Sequence, residues 1–296
     1  MFLIKEASTN NNGLDGKYLS AHLHINLLEH PLYMEILGYL ASALIGISLG
    51  LVGSGGSILT IPVLVYLFHV APALATAYSL FIVGTTALVG GVRCALQHLV
   101  DFPTTMAFAI PSFLTVFLTR RFLMPNLPNV LISGGSFVLT KDTGIMIFFA
   151  LLMLFASLGM IRPSKQGSVE TTKTPGSPIV IFPIGMGTGM LTGLLGAGGG
   201  FLIIPALVLF AGLPMKKAVG TSLIIIAANS LFGFLGDITA GQVIDYPFIL
   251  LMAGIAVSGI LVGNYFSQFI EGHKLKRGFG WFVLLMGFYI IFREGC

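Results

Sequence analysis

From Tyr33 onward the chain is a succession of apolar runs with short breaks, and this pattern constrains the fold more than any other feature. The runs fall at roughly 33–52, 58–69, 72–93, 103–123, 143–161, 179–195, 201–213, 217–236, 247–269 and 279–293. A helix needs about 20 such residues to cross a bilayer. Runs 58–69 and 201–213 are too short to cross comfortably, and each follows a glycine cluster. Only 9% of the 296 residues are charged and 55% are hydrophobic, with a mean hydropathy of +0.96. An ordinary soluble domain is about 25% charged. So little charge cannot cover a water-facing surface, which excludes a soluble enzyme, a nucleic-acid binder and a disordered chain. A β-barrel would alternate over short segments. The expected class is an all-α integral membrane protein with 8–10 membrane segments. The net charge of +4 reads as loop Lys and Arg set by membrane topology.

Residues 1–32 are polar and mixed, with His22, His24 and His30, and lack the basic-then-apolar order of a signal peptide. The His-x-His spacing is a weak metal signal, and interfacial polar residues before the first span are the better reading. Cys94 and Cys296 stand too far apart in sequence to suggest a disulfide framework or a zinc motif. No metal or cofactor is expected. The stretch 162–178 is the only long polar interruption and reads as a flexible linker. It divides a first membrane repeat, 33–161, from a second, 179–296.

The two halves are copies of one unit. Gly50-Leu51-Val52-Gly53-Ser54-Gly55-Gly56-Ser57-Ile58-Leu59-Thr60-Ile61-Pro62 aligns with Gly193-Leu194-Leu195-Gly196-Ala197-Gly198-Gly199-Gly200-Phe201-Leu202-Ile203-Ile204-Pro205. The offset is 143, with eight identities in thirteen positions. In the same register Ala75 meets Ala218, Ser79 meets Ser222 and Leu80 meets Leu223. With one residue of slip, Val100-Asp101-Phe102-Pro103 meets Ile244-Asp245-Tyr246-Pro247. Each unit is a glycine-broken helix pair followed by three long helices. The pair contributes an even number of crossings, so each unit crosses an odd number of times and the second copy is inverted. A cytoplasmic linker places nine of the fifteen basic residues inside, Arg93 among them. Arg120, Arg121 and Lys141 then fall outside, and a further crossing within 124–142 would spoil the parity. Cys94 is expected inside and Cys296 outside.

The glycine motifs are the sharpest functional signal. Glycines let a helix stop and restart within the membrane and let a ligand approach the backbone. The restarted helices, near Ser57 and Gly200, offer free N–H groups and a positive dipole end to an anion. Broken segments at matching positions of two inverted halves point to a transporter's central site, while a single cluster would more simply be close helix packing. The candidate substrate-binding residues here are Gly53, Ser54, Gly55, Gly56 and Ser57 with Gly196, Gly198, Gly199 and Gly200. A second signal is a polar stripe: Ser79, Thr86 and Arg93 share a helix face, and Ser222, Asn229 and Gly236 match them, with Thr221 beside Ser222 and Asp237 beside Gly236. Ser79, Thr221, Ser222 and Asn229 join the candidate set as hydrogen-bonding groups, although such residues also serve as interhelical glue. Arg93 joins it as the one cation close to an apolar run. Without a fixed, fully buried positive charge, such a site favours a small, weakly charged oxyanion. Asp101 and Asp245 precede aromatic-Pro pairs and are expected to cap the next helices.

At the two glycine motifs the sequence resembles the TauE/SafE family of sulfite exporters, the TSUP family. Gly220-Thr221-Ser222, Val100-Asp101-Phe102 and Arg120-Arg121 followed by Pro125 and Pro128 add to the resemblance, which spans about 34–293. It implies a bacterial inner-membrane permease with two repeated halves, moving sulfite, sulfonates or related organosulfur anions. The expected partners are such an anion and the lipid bilayer, not nucleic acid. The alternative is a membrane-embedded enzyme acting on a lipid or thiol. It needs a nucleophile or metal set, and Cys94, the cysteine nearest the core, has no counterpart in the second unit.

Overall fold

The computed structural model describes residues 36–51, 53, 56–128, 130–134, 137–161, 178–196, 198–266 and 272–295. The polar segment 1–32, the linker up to residue 177, Ser54, Gly55, Ala197 and Cys296 lie outside the described residues. The described chain is nearly all helical. The first half contains α1 (Ile36–Leu51), α2 (Ser57–Tyr66), α3 (Pro72–Leu96), α4 (Phe102–Leu118), a π-helical turn (Thr119–Leu123), α5 (Met124–Asn126) and α6 (Lys141–Ile161). The second contains α7 (Pro178–Leu195), α8 (Gly200–Leu209), α9 (Met215–Thr239), α10 (Tyr246–Phe266) and α11 (Gly272–Gly295). A short antiparallel hairpin, β1 (Val130–Gly134) with β2 (Phe137–Thr140), precedes α6. Within 124–140 the described residues form only α5 and this hairpin, so they add no further crossing helix.

The sequence repeat reappears element by element. α2 and α8 have 10 residues each and α3 and α9 have 25 each, with starts displaced by 143, from 57 to 200 and from 72 to 215. α4 and α10 start 144 apart, at 102 and 246, so the slip is one extra residue in the α9–α10 connection. α3 and α9 pack against each other antiparallel: Gly84 lies against Ser230 and Leu231, Gly91 against Ile224, and Gly233 against Leu80. Repeat equivalents running in opposite directions are what an inverted duplication requires. These pairs converge on Thr86 and Asn229, themselves equivalents, as the level where the two copies cross.

The other interfaces are duplicated too. A Cβ on Gly46 would stand 2.0 Å from the Ala256 carbonyl oxygen, and one on its equivalent Gly189 would stand 2.3 Å from that of Ser112. Glycines four residues apart thus let α1 approach α10, and α7 approach α4, at backbone distance. Asp101 accepts from the Thr104 N–H at 3.2 Å and Asp245 from the Phe248 N–H at 3.2 Å, so both aspartates cap their helices as the sequence predicts. The Asp101 N–H donates to Thr221 Oγ1 and the Asp245 N–H to the Tyr78 hydroxyl, each at 3.0 Å. Residues 78 and 221 are repeat equivalents, so one device ties each copy's central helix to the start of the other copy's next helix.

Among the described residues, four helices are long and apolar enough to span a membrane: Pro72–Leu96, Phe102–Asn126, Lys216–Thr239 and Tyr246–Phe266. Shorter apolar helices surround them, and Leu114, Leu118, Phe155, Leu285, Phe288 and Phe292 are exposed. On a helical protein this apolar, such a surface faces lipid. The molecule is a multi-pass, all-α membrane protein.

Candidate functional site

The second glycine motif turns through three left-handed residues, Gly196, Gly198 and Gly199, at φ of 69°, 66° and 69°. A side chain at any of them would strain the backbone. The turn ends α7 and starts α8, with Gly199 as its N-cap. The first motif keeps this geometry at Gly53, φ 78°. It departs at Gly56, whose φ is −66° and where a Cβ would stand 2.2 Å from the Ile45 carbonyl oxygen. Gly56 is therefore a contact between α2 and α1, whereas its equivalent Gly199 is a turn residue.

Polar groups without partners gather around the second motif. Arg120 Nε and Nη2, Thr192 Oγ1 and Ser230 Oγ are buried with no hydrogen-bond partner among the described residues. Nη2 and the two hydroxyls each lie against one glycine of the turn. A Cβ on Gly196 would be 2.6 Å from Arg120 Nη2, one on Gly198 3.0 Å from Ser230 Oγ, and one on Gly199 2.0 Å from Thr192 Oγ1. Buried polar groups are almost always paired, so such a cluster calls for an explanation.

Arg120 is 1% exposed, a fully buried cation at the end of α4. It sits in the π-helical turn, a distortion that recurs at functional sites. Its Nη1 donates to Thr76 Oγ1 at 3.0 Å and lies 3.2 Å from Asp237 Oδ2, in the only ion pair among the described residues. Gly236 leaves room for its stem, since a Cβ there would stand 2.7 Å from Arg120 Cβ. Arg121 points outward and donates to the Thr239 carbonyl, closing the end of α9. Lys141 donates to the Met124 carbonyl and lines a cleft of about 140 Å³ with Met124, Phe148, Leu194 and Leu195. Leu195 precedes Gly196, so the cleft reaches the edge of the motif.

The other candidates are spread along α3 and α9. Gly198 lies against Val83, Ile226 and Ser230, within a turn of the Thr86–Asn229 level. Asn229 Nδ2 donates to Ser112 Oγ at 2.7 Å, leaving Oδ1 unpartnered. Ser79 Oγ is buried and unpartnered among the described residues, whereas its equivalent Ser222 donates to the Val219 carbonyl at 2.8 Å. Thr221 accepts the α4 tie described above, and Ser57 and Gly200 are buried at the starts of α2 and α8. Arg93 lies in the last turn of α3, partly exposed, its Nη1 3.5 Å from the Leu261 carbonyl oxygen. The fully buried positive charge that the sequence reading lacked is Arg120. Its signal was present: Arg120 falls within run 103–123, and Asp237 directly follows run 217–236. Crediting Arg120 to an outer loop with Arg121 hid it.

The polar cluster is one-sided. By the repeat register, Thr192 matches Leu49, Ser230 matches Ala87, Asp237 matches Cys94 and Arg120 matches Asn264. The duplication kept the backbone plan and placed the ion pair at one end only.

Long apolar helices, glycine-broken shorter ones and a buried ion pair beside a glycine turn belong to the class of polytopic helical membrane proteins. Residues 38–290 match the family described as sulfite exporter TauE/SafE, and the chain belongs to that family. It is similar to a probable membrane transporter protein of Xylella fastidiosa strain 9a5c, 29% identical over 266 residues, covering 86% of this chain and 94% of the relative. A probable membrane transporter protein of Bacillus subtilis is 26% identical over 237 residues, 79% of this chain and 90% of the relative. One of Methanocaldococcus jannaschii is 25% identical over 278 residues, 90% of this chain and 96% of the relative. No solved structure matches the chain.

Proposed function

We propose that the protein is a secondary transporter, an exporter in its main direction, for sulfite or a small sulfonate in the inner membrane of a bacterium. The observation that carries this reading is the convergence of unpartnered buried donors on the second glycine turn. Donors fixed against the glycines of a turn suit an oxyanion, which needs its water shell replaced on several sides at once. Gly198 near the crossing level of the two copies supports binding toward the midplane, between the motifs containing Gly53 and Gly196. The two repeats, 33–161 and 179–296, rock about that level to give alternating access, with the 162–178 linker in the cytoplasm. The protein moves the anion without converting it, and so acts as a carrier and not as an enzyme.

Counterflow in proteoliposomes tests this. Vesicles loaded with unlabelled sulfite should accumulate radiolabelled sulfite, methanesulfonate should compete, sulfate should compete poorly, and the label should be recovered unchanged. Equal competition by sulfate, or recovery of a converted product, would count against it.

A further inference from the structure

A guanidinium has two edges that can each take an oxyanion with a pair of parallel N–H bonds. In Arg120 the two acceptors, Thr76 Oγ1 and Asp237, both lie on Nη1. The Nε–Nη2 edge is buried and has no partner among the described residues, and Nη2 faces Gly196, where any side chain would strike it. Leaving two guanidinium donors unpaired inside a membrane protein is costly. Gly196, which lies against Nη2, brings no side chain to the place.

We propose that the free Nε–Nη2 edge of Arg120 is the charged docking point for the transported anion, and that Asp237 on Nη1 is an internal counter-ion that restricts the site to monoanions. This rests on reading the second glycine turn as the anion path. Asp237 already neutralises Arg120, so an arriving monoanion brings the group to one net negative charge and a dianion to two. In a low-dielectric interior the second addition is far more costly. Charge selection would then come from an acid and not from the size of the pocket. The ion pair that anchors Arg120 is itself off the crossing level. Thr76 and Asp237 lie ten and eight residues from Thr86 and Asn229 along α3 and α9. At 1.5 Å per residue that is roughly 12–15 Å toward one mouth. Asn264 and Cys94 occupy the equivalent places at the other mouth, so among the described residues the buried Arg–Asp pair stands on one side only.

The test is equilibrium binding of methanesulfonate, a fixed monoanion, and sulfate, a fixed dianion, to purified protein in detergent. Wild type should bind methanesulfonate and not sulfate. Asp237→Asn should tighten methanesulfonate by about tenfold or more and admit sulfate, since it frees the guanidinium. Arg120→Gln alone would strand the Asp237 charge and can fail to fold, so the informative loss is the neutral pair Arg120→Gln/Asp237→Asn. It should elute as a folded species and lose methanesulfonate binding by at least about tenfold. If Asp237→Asn leaves both affinities unchanged, or the neutral pair binds as wild type does, the assignment of Arg120 is overturned while the transport reading stands. If wild type ignores sulfite and methanesulfonate but binds nitrate through Arg120, the docking point stands and the sulfur substrate does not. Binding of none of these anions overturns both.

Discussion

Arg120 shows how a single residue changes meaning with its neighbours. In sequence it belongs with Arg121 as a basic doublet at a membrane boundary, and Arg121 behaves so, donating to the carbonyl of Thr239. One position earlier, in a π-helical turn, the side chain points inward to Thr76 and Asp237. Residue type and hydropathy do not encode that rotation, which is why Arg93 was the more visible cation. Ser79 and Ser222 are a similar case. They match in sequence, yet Ser222 has the Val219 carbonyl and Ser79 has no partner among the described residues. Replacing a hydroxyl already bonded within its own helix should cost the substrate little. We therefore expect Ser222→Ala to leave the sulfite Kd close to wild type. Ser230→Ala and Thr192→Val, which remove unpartnered hydroxyls beside Gly198 and Gly199, should each weaken it by about 1 kcal/mol, roughly fivefold. Titration of each variant with sulfite checks this, and equal effects for all three would refute the distinction.

The helices themselves were largely legible. The short runs after the glycine clusters became α2 and α8, and the aspartate caps opened α4 and α10 where the Asp-aromatic-Pro pairs stand. Local chemistry fixes such features, so sequence carries them. What it did not carry is the separate role of matching glycines. Gly199 is a left-handed turn residue, whereas Gly56 is helical and pressed on the α1 backbone. Gly56→Ala should therefore act on folding, lowering the thermal midpoint in detergent, because its methyl meets the Ile45 carbonyl, which cannot move aside. The α1–α10 interface makes a related forecast. A Cβ on Gly259 would stand 2.4 Å from the Ala43 carbonyl oxygen. Gly259→Leu should destabilise the fold by about 1–3 kcal/mol, as overpacking does elsewhere. Gly254, with nothing within 4 Å of its would-be Cβ, should tolerate the same change. Thermal unfolding of the pair decides it, and equal midpoints would contradict the close-packed interface.

At the scale of the molecule, α3 and α9 pack antiparallel, the arrangement that two inverted copies would give. The α3–α4 and α9–α10 connections then lie on opposite sides of the membrane. Gln97 and Gln242 are exposed on those two connections. In a background without other cysteines, an impermeant maleimide should label Gln242→Cys in intact cells and Gln97→Cys only after permeabilisation. Labelling of both from the same side would remove the inverted arrangement. The asymmetry of the ion pair was not legible at this scale, because a repeat alignment shows where copies agree and hides what divergence has built. The central claim is that an oxyanion binds at the second glycine turn. Selenite has the shape and charge of sulfite and scatters anomalously, so a crystal grown with it locates the anion directly. We predict an anomalous peak against the Gly196–Gly199 turn, within hydrogen-bond reach of Arg120 Nε and Nη2. A selenite peak confined to the protein surface or to the Arg93 end of α3, in protein that transports sulfite, would contradict it.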